Sequence, residues 1–264
     1  QPNLIINSDM AVAQRATSAS SVSTGYNTVD RFSIIESNSN ATWDEAQSTT
    51  VPSGQDFAKS WKLSVSSGGS PAANERTIVR QRIEGQNLQV LKKGTASASF
   101  AGDTAGALDN DNNASLDVWW WLDAGSNYSS GTLQTSWGAR VDANSAVGQT
   151  ALGATTNNEW YITGVSLVVG DTAPVTHPYE SYAENLERCQ RYYEVLDHIY
   201  FLAPSNSADY IEAYQYATVK RTTPTLDDSG MTWDGSGSGV FSRNTESGFT
   251  LKNSSSGSRS WFGT

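Results

Sequence analysis

Apolar and polar residues alternate with a period of two in short runs along most of this chain, and each run ends in Gly, Ser, Asn or Pro. Trp61, Leu63 and Val65 share one face of such a run, which Ser66-Ser67-Gly68-Gly69-Ser70-Pro71 then breaks. The same pattern predicts strands at 4–6, at 31–35 after the turn at Thr24-Gly25-Tyr26, at 77–83, at 96–100 and, most strongly, at 116–122. A run from Trp160 to Val169, rich in β-branched and aromatic residues and closed by Gly170-Asp171, reads as a further strand. Strands resume at 199–202, 210–219, 231–233, 240–241 and 249–251. Short strands with turns and no helices between them predict an all-β fold, an antiparallel β-sandwich rather than an α/β protein.

One helix stands apart from this pattern. Ser181 and Glu184 have the capping-box spacing, in which each side chain satisfies an unpaired backbone N–H at a helix start. Tyr182, Leu186, Cys189 and Tyr193 then fall on one face. Glu180, Glu184 and Glu187 come early and Arg188 and Arg191 late, the order that suits the helix dipole. A linker containing Pro174 and Pro178 precedes it. The chain therefore divides into a β-sandwich domain over 1–178, a linking helix over 179–194 and a smaller β domain over 195–264 that serves oligomerisation or binding. At roughly 70 residues, a lone β core of the second kind is marginal and is expected to pack on a neighbour or another subunit. The stretches 236–239 and 254–258 are Gly/Ser loops, flexible by composition.

Composition narrows the function classes. Of the 264 residues only 17% are charged, against about 25% in typical domains, so the polarity comes from Ser, Thr, Asn and Gly. A net charge of -10 without clustered Lys and Arg argues against nucleic-acid binding. The single cysteine, Cys189, excludes an internal disulfide framework and any Cys-based zinc site. No apolar run approaches the ~18 residues of a membrane span, and no charged-then-apolar leader opens the chain. It begins at Gln1 rather than methionine, as a processed product or part of a longer protein does; a preceding segment with an anchor is left open.

The candidate chemistry lies in side chains that alternation turns outward. In the strand over 115–123, Leu116, Val118, Trp120 and Leu122 share an apolar face, so Trp120 is expected to be buried. Asp117, Trp119, Trp121 and Asp123 share the other. Trp119 and Trp121 could stack on sugar rings, with Asp117 or Asp123 accepting hydroxyl hydrogen bonds, or they could be covered by the second unit or another subunit. Tyr210, Tyr214 and Tyr216, with Glu212, form a period-two stripe that suits either an oligomer contact or a glycan platform. Asp109-Asn110-Asp111-Asn112-Asn113 begins like a calcium loop, but Ala114 and Trp120 stand where such a loop needs Gly and an acid, so a solvated turn is expected. Sequons at Asn40, Asn113, Asn127 and Asn253 are treated as unused.

Catalytic groups are few. Only His177 and His198 are available, and His177, beside Pro178, reads as a surface residue rather than a base. Neither a Gly-x-Ser-x-Gly elbow nor a His-Glu-x-x-His pair nor a phosphate-cradling loop occurs. Cys189, on the buried helix face, is expected to be inert. No metal, cofactor or catalytic residue is expected, although a carboxylate pair for sugar hydrolysis stays open.

Several motifs, in order along the chain, resemble a known family. They are Asn3-Leu4-Ile5-Ile6-Asn7 with Val12-Ala13-Gln14-Arg15, Thr24-Gly25-Tyr26 to Asp30-Arg31-Phe32, and Glu84-Gly85-Gln86-Asn87-Leu88 with Lys92-Lys93-Gly94-Thr95. Phe100-Ala101-Gly102-Asp103-Thr104, the Asp109 to Asn113 run, Ala124-Gly125-Ser126-Asn127-Tyr128, Thr163-Gly164-Val165 and Arg188-Cys189-Gln190-Arg191-Tyr192-Tyr193 follow. This order is similar to virion fibre or receptor-binding proteins of phages of marine bacteria, which carry a jelly-roll domain like a carbohydrate-binding module. The resemblance implies a jelly roll, a place on the exterior of the virion, a homo-oligomer that is most simply a trimer, and contacts with other virion proteins and a host-surface glycan. It also implies strands between Thr95 and Phe100, where this chain has only Ala96-Ser97-Ala98-Ser99; the jelly roll is either pared down with an open core or missing residues there. The functions that follow are a non-catalytic adhesin, a purely structural decoration or fibre-shaft protein, and a polysaccharide depolymerase.

Overall fold

Side-chain alternation builds the sheets, and buried Asn, Gln and Glu side chains tie the irregular segments to them. The computed structural model describes residues 3–88, 111–168, 178, 180–196, 200–203, 211–227, 229, 231–234, 239–253 and 259–263. The chain separates into two compact units, Gln1–Leu186 and Glu187–Thr264. The described strands pair antiparallel throughout, so the fold is all-β with few helices.

In the first unit β1 (Ser18–Ala19), β3 (Thr42–Ser48), β4 (Ser60–Ser67) and β7 (Glu159–Ile162) form one sheet in the order β1-β3-β4-β7. A second sheet has the order β2-β5-β6, from β2 (Ser33–Ser37), β5 (Arg76–Glu84) and β6 (Ala114–Ala124). One cluster of buried side chains draws on both: Trp43, Trp61, Leu63 and Val65 from the first, Ile34, Val79, Ile83 and Leu122 from the second. Trp61, Leu63 and Val65 are at most 1% exposed, as their alternation predicts. Each such side chain contributes roughly 1.5–3 kcal/mol by leaving water.

Two sequence expectations need correction here. Residues 4–6 are a turn, not a strand: Gln81 makes a pair of hydrogen bonds to Ile6, accepting from its N–H at 2.8 Å and donating to its carbonyl at 2.9 Å. Asn3 Oδ1 accepts from the Ile5 and Leu167 N–H groups, so side chains replace a strand ladder. The strand at 160 stops at Ile162, because Gly164 turns the chain at φ +65° and Val165 then donates to Ser8. A Cβ on Gly164 would stand 2.4 Å from the Phe57 ring, so only glycine fits that turn. Gly170-Asp171 and the strand expected at 96–100 lie outside the described residues.

A short helix, α1 (Ser126–Ser129), follows β6, and 3-10 turns occupy Asp142–Asn144 and Leu152–Ala154. The main helix, α2 (Tyr182–Gln190), begins with the predicted capping box: Glu184 Oε2 accepts from the Ser181 N–H at 2.8 Å, and Ser181 Oγ accepts from the Glu184 N–H at 3.3 Å. Its buried face is Asn185 and Cys189, each 1% exposed, whereas Tyr182 is exposed. Asn185 Oδ1 accepts from the Asn7 N–H at 3.2 Å, so the start of the helix belongs with the first unit and the unit boundary falls within the helix.

The second unit holds two sheets. One has the order β10-β13-β8, from β8 (Tyr200–Ala203), β10 (Met231–Asp234) and β13 (Arg259–Gly263); the other has the order β11-β12-β9, from β9 (Ile211–Gln215), β11 (Gly239–Asn244) and β12 (Gly248–Asn253). A small core of Tyr216, Phe249 and Leu251 is backed by Leu196, Tyr214, Leu226 and Phe241.

Candidate functional site

Strand β6 is the edge of its sheet among the described residues, paired to β5 alone. Leu116, Val118 and Trp120 turn toward the core, and Trp120 lies 6.2 Å from the Phe32 ring. Trp120 is half-buried rather than buried, as suits a core-facing residue on an edge strand. Trp119 and Trp121 occupy the opposite face, 6.1 Å apart, in line with the predicted alternation.

That outer face is a ladder of rings and cations. The Arg140 guanidinium lies over Trp119 at 5.1 Å, Tyr128 packs against Trp121 at 5.5 Å, and Arg76 lies over Tyr128 at 5.4 Å. Across the β5–β6 pair, Arg80 stands opposite Trp119 and Ile78 opposite Trp121. Asp117 is ion-paired to Arg82 at 3.4 Å. The cover over these tryptophans thus includes α1 and the loop after it, from the same unit.

A bulge separates Asp123 from this face. The ladder shifts between Thr77 and Ile78, leaving Leu122 as the extra residue and setting Asp123 opposite Thr77, on the side that also carries Val79. Asp123 is 0% exposed and cannot serve an outer sugar site, which corrects its assignment. Burial, and then the charge of Glu75, push its carboxyl up to about 6; the nearby Gly153 N–H pulls the other way.

A cleft of about 890 Å³ runs along β6. Asp117 and Trp119 line it from the outer face, Trp120 and Leu167 from the core side, and Gln134 and Trp137 from the loop after α1. Trp137 is 56% exposed. It was not among the residues singled out from the sequence; the available signal was a lone indole in a polar Gln-Thr-Ser-Trp-Gly loop, where no apolar period demands one. An aromatic face beside a carboxylate and an amide in one concave site can hold a flat, hydroxyl-bearing ligand.

The tyrosine stripe is used otherwise. Tyr214 stacks on Phe249 at 5.3 Å, and Tyr216, 9% exposed, packs on the same ring at 5.6 Å and donates to Asn244 Oδ1 at 2.9 Å. Lys220 Nζ sits over the Tyr216 ring and pairs with Glu194. Burial, then the Glu194 charge, raise the Tyr216 hydroxyl to about 12. These side chains build their own unit's core, so Tyr214 and Tyr216 are corrected from surface platform to packing residues. Tyr210, His177 and His198 lie outside the described residues.

In the suspected calcium run, Asp111 Oδ1 accepts from the Asn113 N–H at 2.9 Å, a self-capped turn, while Asp109 and Asn110 lie outside the described residues. Among the described residues no group of three or more His, Cys, Asp and Glu is placed to hold a metal, and no helix is long and apolar enough to cross a membrane. Comparison with family models, curated proteins and solved structures returned no match for this chain.

Proposed function

We propose that this chain is a non-catalytic attachment protein of a virion exterior, and that the cleft along β6 binds a host-surface glycan. The observation that carries the reading is the convergence of Trp119, Trp137, Asp117 and Gln134 in one cleft. Sugar rings present apolar faces to indoles and hydroxyls to carboxylates and amides, and this cleft offers both. The virion setting rests on the ordered motifs that resemble phage fibre proteins. On the same reading the two sheets of the first unit stack as a pared-down jelly roll, and the cleft is the open part of its core. The shared cluster of buried residues supports that stacking.

Hydrolysis of the glycan has less behind it. A hydrolase flanks the scissile bond with a carboxylate pair. The described residues lining the cleft supply Asp117 alone, and Arg82 pairs with it. The test is an array of bacterial surface glycans probed with the purified protein: selective binding is expected, and an array without a hit from folded protein would end the adhesin reading in favour of a structural one.

Weak single sites gain strength through copies on one particle, and the proposed assembly is a homotrimer. With the tyrosines packed inside, Val195, Ile211 and Val219 are the exposed large aliphatics among the described residues of the second unit, and they favour association. Light scattering at micromolar concentration is expected to give three times the chain mass; a monodisperse monomer would rule the trimer out.

A further inference from the structure

One end of the first unit's interior gathers more carboxylate than its neighbours neutralise. Glu36 on β2, Thr77 on β5 and Asp123 on β6 stand in a row across three paired strands. Glu75, immediately before β5, is fully buried, and so are Thr77 and Asp123. Glu45, on β3, is buried as well but accepts hydrogen bonds from Thr28 and Asn27. Glu75 is held by the backbone N–H groups of Asn40 and Ala72, at 2.8 and 2.9 Å, which orient its carboxylate and leave lone pairs over. The charges that act on Asp123 and Glu36 are those of other carboxylates.

Unpartnered buried oxygens point to a ligand. Neither oxygen of Asp123 receives a well-formed hydrogen bond, and Thr77 Oγ1, directly opposite, has no partner either. A buried carboxylate in this condition is costly unless a cation or donors meet it. Gly153 lies directly against that carboxylate, since a Cβ there would stand 2.0 Å from Asp123 Oδ2.

We propose that Asp123, Glu75 and Thr77 form a calcium site inside the first unit. The donor set is oxygen only, which suits a hard cation and not zinc. Two carboxylates balance the charge of one divalent ion. Calcium takes six to eight oxygens in flexible geometry, so a hydroxyl, backbone carbonyls and water complete a shell that magnesium, with its near-ideal octahedron, fits less well. The ion fastens β5 to β6 beside the loop that carries Gly153, and its role is structural. This site is separate from the cleft and does not depend on the glycan reading.

The test uses the whole chain with CaCl2, MgCl2 and TbCl3 as probes. Millimolar CaCl2 over EDTA is expected to raise Tm by roughly 5–10 °C, the shift for an ion near a hundredfold above its Kd, with MgCl2 weaker. Terbium is expected to luminesce on tryptophan excitation, because the Trp43 ring lies against Gly153 at the site. Asp123→Asn removes a buried charge, and both responses are expected to vanish in it. If that variant does not fold, Thr77→Val is expected to weaken terbium binding about tenfold. No Tm shift and no luminescence in the wild type would overturn the proposal and assign the unpartnered atoms to water. Undiminished responses in Asp123→Asn, or unchanged terbium affinity in Thr77→Val where Asp123→Asn cannot be read, would place any ion elsewhere and overturn it equally.

Discussion

Tyr216 shows how one side chain's surroundings decide its use. A tyrosine on a period-two stripe reads as surface, yet Phe249 beneath it and Asn244 at its hydroxyl make it a core residue. Its folded-state pKa, pushed up to about 12 from an ordinary value near 10, means that the folded protein holds this proton more tightly than the unfolded chain. Stability from this group is therefore complete below pH 10 and declines as pH rises from 10 to 12. Denaturant melts across that window are expected to show a falling midpoint, and Tyr216→Phe is expected to lose that part of the slope. An identical slope in the variant would contradict the assignment. Asp123 illustrates the opposite limit: its neighbours predict an outward carboxylate, and no residue type in the sequence announces the bulge at Leu122 that turns it inward.

At the scale of elements, what the sequence made legible followed from side-chain chemistry that acts locally. Trp61, Leu63 and Val65 alternate without interruption, and β4 forms where they predict. Strand β3 went unrecognised because two of its inward positions, Glu45 and Gln47, are polar; Glu45 is held by Asn27 and Thr28, and Gln47 donates to the Met10 and Ala11 carbonyls. Partners that far away leave no periodic signal. The start of α2 was readable because its cap is local, and its buried face was readable in part: Cys189 is buried as expected, but Asn185 is drawn inward by Asn7 and Asp9, far off in the chain. The cap supplies a prediction at this scale. Ser181→Ala leaves the Glu184 N–H without its side-chain acceptor and is expected to cost about 1 kcal/mol of helix stability. Amide hydrogen exchange in the first turn of α2 is the readout, and unchanged protection there would show that the cap contributes nothing.

For the whole molecule, the cleft exists because β6 is an edge strand among the described residues and the loop after α1 returns over it with an indole. The sequence pointed to Asp117 and Trp119, and the fold added Gln134 and Trp137, while Trp121 lies against Tyr128 and Asp123, Tyr214 and Tyr216 pack inward. Trp137 is the most direct handle on the adhesin reading, because its side chain is mostly exposed and lies outside the buried core cluster. Calorimetric titration of the glycan selected by the array against wild type and Trp137→Ala tests it. The account predicts at least a tenfold loss of affinity, the size expected of an aromatic anchor, with Tm unchanged; equal affinity in the two proteins would contradict the cleft as the binding site.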